Sequence, residues 1–111
     1  METAKKIYSP NELVCARTIH PGEMLKDELE ARGISQRKFA GIIGMSYTAF
    51  NEIINGKRPI TTDTALKIEA ATGISANIWI RLQADYNMQT ARHNSKLAAI
   101  LDSIRKSVAA L

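Results

Sequence analysis

A chain of 111 residues with 45% hydrophobic content is one domain with short appendages, long enough for a modest core without disulfide or metal staples. Its single cysteine, Cys15, excludes an internal disulfide and fits a reducing cytoplasm; no apolar run approaches the roughly 18 residues of a membrane span, and no basic-then-apolar signal opens the chain. A net charge of +4 agrees with a polyanionic partner, whereas 5% aromatic content and one tryptophan leave few platforms for stacking single-stranded bases.

Residues 1–8 are polar. Ser9-Pro10-Asn11-Glu12 combines a Ser cap, a proline at the first helical position and an acid in the first turn, which predicts a short helix through Leu13 and Val14. Arg17-Thr18-Ile19 reads as extended. His20-Pro21-Gly22-Glu23 opens a helix over 21–32, with Leu25 and Leu29 on its inner stripe and Gly33 as its stop. Two short helices follow, Ser35 capping the first and Gly44 ending it, Ser46 capping the second and Gly56 ending that one. Phe39, Ile43, Met45, Phe50 and Ile53, with small Ala40 between them, form the burial pattern of one helix crossing another at a steep angle. Lys57-Arg58-Pro59-Ile60 is a loop. Thr62 caps a helix over 63–72 with Leu66 and Ile68 among its apolar positions, and Gly73 stops it. Ser75 caps a longer helix in which Ile78, Trp79, Leu82 and Tyr86 recur at helical spacing. After His93-Asn94, Leu97, Ile100, Leu101, Ile104, Val108 and Leu111 mark an amphipathic helix of about four turns. No useful strand-like alternation and no repeat is present, so the expected fold is all-α. It comprises a five-helix domain over 19–93, an N-terminal arm over 1–18 and an additional amphipathic helix over 94–111.

The residues give no basis for catalysis or for a cofactor. His20 and His93 are remote from each other and Cys15 has no spaced partner, so no metal-ligand spacing exists. His20 before Pro-Gly reads as a cap or loop residue, and Cys15 as a small buried hydrophobe. Asp27, Glu28 and Glu30 share their helix with Lys26 and Arg32, the pattern of a solvated face. Gly41-Ile42-Ile43-Gly44 resembles the clamp of KH domains, but its middle residues are buried-type isoleucines, not basic ones.

The second short helix keeps Tyr47, Thr48, Asn51, Glu52 and Asn55 on its outer face, a hydrogen-bonding surface of the kind that reads the DNA major groove. Tyr47 and Thr48, near the helix start, are placed for base edges; packing against the neighbouring helix is the alternative for Tyr47. Glu52, one turn beyond Thr48, can accept from cytosine, and Asn51 can touch base or phosphate. Gln36 and Ser46 at helix starts, and Asn55, Lys57 and Arg58 at the far end, are placed for the phosphate backbone. One short helix reads few base pairs, so a homodimer on half-sites roughly 34 Å apart is expected. The Trp79, Leu82, Tyr86 stripe is a candidate dimer surface or, equally, packs on the core; Leu97, Leu101 and Ile104 form a second candidate partner surface with the same alternative.

This arrangement resembles the Xre/Cro-like phage-repressor class and, within it, is similar to HigA-type antitoxins, also called VapI-like. The resemblance rests on His20-Pro21-Gly22-Glu23-Met24-Leu25, Gly33-Ile34-Ser35-Gln36, Asn55-Gly56-Lys57-Arg58-Pro59-Ile60-Thr61 and Gly73-Ile74-Ser75. It closes on Trp79 and Leu82-Gln83-Ala84-Asp85-Tyr86 and covers residues 19–88. The resemblance implies a type II toxin–antitoxin system, with a DNA-binding antitoxin that represses its own operon and neutralises a HigB-like mRNA-cleaving toxin. By position it makes Gln36, Asn55 and Lys57 backbone contacts and Tyr47, Thr48 and Glu52 base contacts; Tyr47 departs from the shorter polar residues common there. Because a ribonuclease toxin is expected to be basic, as this chain is, charge attraction is no obvious clamp, and the apolar stripe at 97–111 and the segment 7–19 are the natural candidates for toxin contact, one of which is expected to carry the affinity. The same core suits a stand-alone Xre-like transcriptional regulator, which a toxin-like reading frame beside the gene would distinguish.

Overall fold

The computed structural model describes residues 19–111. The expected helix after Ser9, the extended pair at 17–18 and Cys15 lie outside the described residues. Six helices and no strand occur among those described: α1 Pro21–Arg32, α2 Gln36–Ile42, α3 Tyr47–Ile54, α4 Thr62–Thr72, α5 Ala76–Arg92 and α6 Ser95–Ala109. The fold is all-α.

Short polar side chains set the helix starts. Ser35 Oγ accepts from the Lys38 N–H at 3.1 Å and Ser46 Oγ from the Ala49 N–H at 3.1 Å. Asn94 Oδ1 accepts from the Leu97 N–H at 2.9 Å. Each such cap contributes about 1 kcal/mol. At α4 the cap is Thr61, whose Oγ1 accepts from the Thr64 N–H; Thr62 is the first helical residue instead. Ser75 caps α5, and Glu69 on α4 adds a second acceptor there, its Oε2 lying 3.2 Å from the Ala76 nitrogen. Between α2 and α3, Gly44 takes a left-handed φ of 74°, and Met45 donates to the Ala40 carbonyl at 2.8 Å, which closes the tight turn.

The core joins Leu25 and Leu29 of α1, Phe39 and Ala40 of α2 with Ile43 just after it, and Phe50, Ile53 and Ile54 of α3 to Ala65, Ile68 and Trp79. Phe39 and Phe50 meet across α2 and α3 with ring centroids 5.5 Å apart, beside the small Ala40 that lets the helices approach. Arg32 fastens the end of α1 to the end of α4: its Nη2 donates to the Thr72 carbonyl at 2.8 Å and its Nε to Glu28 at 2.6 Å. Buried Gln83 of α5 accepts from the Ile60 N–H at 2.8 Å and so ties down the loop after α3.

Two apolar positions differ from expectation, and a third settles between two alternatives. Leu66 is 51% exposed because Ala65 and Ile68 take the inward face of α4. Ile78 is exposed as well. Trp79 is fully buried, which removes it from any partner surface; a ring this large fills the space between α5 and the rest of the core, leaving Leu82 and Tyr86 half-buried beside it. The last helix, α6, buries no residue: Leu97 and Leu101 are half-buried, while Ile100, Ile104, Val108 and Leu111 are exposed.

Candidate nucleic-acid interface

Helix α3 is amphipathic in the simplest sense. Phe50, Ile53 and Ile54 point into the core, which leaves Tyr47, Thr48 and Asn55 exposed and Asn51 and Glu52 half-buried on the other side. Its far end is seated on α1 at Gly22. A Cβ on that residue would lie 2.6 Å from the Ile54 carbonyl oxygen and closer still to that of Ile53, so only glycine lets α1 touch the α3 backbone. The turn after α3 is wedged by His20: Gly56, at φ 76°, would bring a Cβ to 2.9 Å from the imidazole, and the ring packs edge-on against Tyr86 of α5 at 5.7 Å. His20 is the N-cap residue of α1, as read from the sequence, but its ring makes no cap hydrogen bond.

The outer polar side chains are organised rather than independent. Asn55 Nδ2 donates to Asn51 Oδ1 at 3.0 Å, and Asn51 Nδ2 reaches Gln36 Oε1 at 3.5 Å, so a line of amides runs from the start of α2 along α3. Tyr47 lies at the surface, 37% exposed, with the Arg37 guanidinium 4.2 Å from its ring centroid, a cation–π pair rather than core packing. Glu52 Oε1 accepts from Arg58 Nε at 3.0 Å and from Nη2 at 2.7 Å. Lys57 is exposed at the end of the same face, its N–H donating to the Glu52 carbonyl at 2.8 Å. The structure therefore brings together Gln36, Ser46, Tyr47, Thr48, Asn51, Glu52, Asn55, Lys57 and Arg58. It leaves Leu97, Leu101 and Ile104 on the separate α6.

Arg37 belongs to this surface and is absent from the expected set. Its signal was in the sequence: Arg37 and Lys38 occupy the first turn of α2 with no acid there, although cations at a helix start oppose the macrodipole. Among the described residues no group of three or more His, Cys, Asp or Glu side chains could hold a metal ion, and no helix is long and apolar enough to cross a membrane.

A match to the HTH_3 helix-turn-helix family spans residues 25–79. Virulence-associated protein I of Dichelobacter nodosus is 34% identical, over 75% of this chain and 78% of that protein. Among solved structures, an addiction module antidote protein of a HigA family from Coxiella burnetii is 33% identical, with TM-score 0.67, covering 81% of this chain and 94% of that one. Pseudomonas aeruginosa antitoxin HigA, solved with the higBA promoter, is 35% identical, with TM-score 0.67, covering 79% of this chain and 91% of that one.

Proposed function

This chain belongs to the HTH_3 helix-turn-helix family, alongside HigA antitoxins, and on that premise we propose that it binds its own operator as a dimer and neutralises a toxin encoded beside it. The observation that carries the DNA reading is α3 itself: an apolar side locked into the core and a polar, prearranged side flanked by Arg37, Lys57 and Arg58. Tyr47, Thr48 and Asn51 face the base edges, with the Glu52–Arg58 pair on the same face. The amide ends of α2 and α3, with Gln36, Ser46, Asn55 and Lys57, hold the phosphates. Mobility shift with the DNA immediately upstream of the gene, across a salt series, tests this. Specific binding that weakens steeply with salt is expected, and no preference for that DNA over a scrambled duplex would refute it.

The protein–protein contacts belong to the apolar face of α6, with Leu97, Leu101 and Ile104 on it, and to the adjoining Leu82 and Tyr86. The supporting observation is that, among the described residues, this face is only half-buried at Leu97 and Leu101 and exposed at Ile100, Ile104 and Val108. The toxin of this reading is a HigB-like, mRNA-cleaving ribonuclease. Deleting 94–111 and, separately, 1–18, then co-purifying with the neighbouring gene's product and measuring mass in solution, separates toxin binding from self-association. Undiminished toxin affinity in both truncations would sink the assignment of toxin binding to the appendages.

A further inference from the structure

The Glu52–Arg58 pair raises a question that a surface ion pair rarely does, because it lies on the reading face of α3. An exposed pair contributes little to folding, so stability does not account for it. It is anchored twice: the N–H groups of Lys57 and Arg58 both donate to the Glu52 carbonyl, at 2.8 and 3.2 Å, and the Arg58 side chain then returns to the Glu52 carboxylate. Glu52 stands one helical turn beyond Thr48. The guanidinium is thus drawn back from the loop and laid along the outer face of α3 rather than left to reach sideways for the backbone.

We propose that Arg58 reads a guanine in the major groove and that Glu52 is its positioning residue. This rests on the DNA-binding reading above. Glu52 takes the Nε and one Nη2 hydrogen of the guanidinium, leaving the two Nη1 hydrogens and the second on Nη2. Two neighbouring donors in one plane match the O6 and N7 acceptors of guanine. The carboxylate removes the rotational freedom that a long arginine otherwise loses on binding. A phosphate contact is the poorer fit. The pair is electrically neutral as a unit, so it releases no counterion, and Glu52 beside a phosphate would be repelled. Direct cytosine reading by Glu52 would use Oε2 alone, since Oε1 already accepts two hydrogen bonds, and the variants below separate it from guanine reading by Arg58.

The test selects bound sequences from a pool of randomised DNA duplexes with the full chain. In the best-bound duplex, each guanine is then replaced in turn by 7-deazaguanine, which lacks only the N7 acceptor. One guanine is expected to weaken binding by about 5- to 150-fold when substituted, the range of a bidentate base contact. Arg58→Ala and Glu52→Ala should each abolish preference at that same base pair, with unchanged helicity and melting. Arg58→Ala leaves the Glu52 carboxylate unpaired, so it is read beside the double variant Glu52→Ala/Arg58→Ala, which is neutral like the parent pair and should keep the parent salt slope. Glu52→Ala frees a cation, so its binding to unrelated DNA tightens and its salt slope steepens by roughly 0.9. The proposal is overturned if the double variant weakens all duplexes equally and flattens the slope by that amount, since Arg58 is then a phosphate contact. It is also overturned if Glu52→Ala alone loses a cytosine preference that Arg58→Ala keeps. If the unaltered chain selects no sequence at all, the DNA-binding reading falls with it; if it selects one in which no guanine matters, only the Arg58 assignment falls.

Discussion

Replacing Gly22 with alanine tests whether the seating of α1 on α3 holds the domain together. The new methyl would sit 2.6 Å from the Ile54 carbonyl oxygen and nearer to that of Ile53. Both obstacles are backbone atoms of the last turn of α3, so no side-chain rotation relieves them. The only relief is to slide α1 outward, which loosens Leu25 and Leu29 in the fully packed core. Overpacking usually costs about 1–3 kcal/mol, and rigid obstacles put this site at the upper end, about 3 kcal/mol. The gain in helix propensity from Gly to Ala offsets at most about 1 kcal/mol of that. For a domain of this size a net loss of about 2 kcal/mol lowers the melting temperature on the order of 10 °C. Gly41 is the control: it lies in α2, and a methyl there meets no atom within 4 Å. Gly41→Ala should raise the midpoint by a few degrees from propensity alone, by about 0.5–1 kcal/mol. Thermal and urea unfolding followed by circular dichroism measures both. A Gly22→Ala midpoint within about 2 °C of the parent, or a loss at Gly41→Ala as large as that at Gly22→Ala, would refute the steric argument.

Gln83→Leu should destabilise by about 1–3 kcal/mol in urea titration, because the buried Ile60 N–H loses its acceptor; an unchanged midpoint would mean that the loop finds another partner. Thr48→Val should relax preference at one base pair by about 1–3 kcal/mol in competition binding while leaving the melt untouched. Lys57→Gln should weaken binding to every duplex alike and lower the salt slope by about 0.9. In hydrogen exchange on the dilute, unpartnered chain, the amides of α6 should exchange far faster than those of α1 and α3, since α6 buries no side chain; equal protection would show that the helix is already covered.

Helix positions were legible because their signals are local. A serine or asparagine two or three residues before the N–H it receives, and a glycine at each left-handed stop, depend on neighbours alone. Even so, Thr61 and Thr62 were confused, as adjacent threonines offer the same hydroxyl and only backbone geometry chooses between them. Burial was legible at Phe39, Ile43, Phe50 and Ile53, where apolar spacing leaves one possible face. It failed at Leu66, where small Ala65 and branched Ile68 fill the inner side and the larger residue is pushed outward. The polar face of α3 could be outlined from spacing, but its pairings could not. Arg58 returns to Glu52 across a helix end, and Arg37 reaches Tyr47 across the turn between two helices. Both depend on where the chain goes after a glycine, which no single-residue preference encodes. Gly22 and His20 belong to the His20-Pro21-Gly22-Glu23 stretch that signals a helix start, yet their purpose, to seat and wedge the end of α3, appears only with the two helices in contact.

The anchoring of Ile60 by Gln83, together with the wedging of His20 between Gly56 and the Tyr86 ring, makes α5 a shared beam. One stretch of this rod, about 25 Å long at 17 residues, grips the loop behind α3, and its other end leads into α6. Whatever binds α6 and favours one setting of α5 therefore acts on the DNA-facing loop without touching it. Linkage requires the reverse with equal force: DNA that favours a setting of the loop alters affinity at α6 by the same factor. Under the proposed function, occupancy of the two ends would be a single coupled equilibrium, in which operator and protein partner each report on the other.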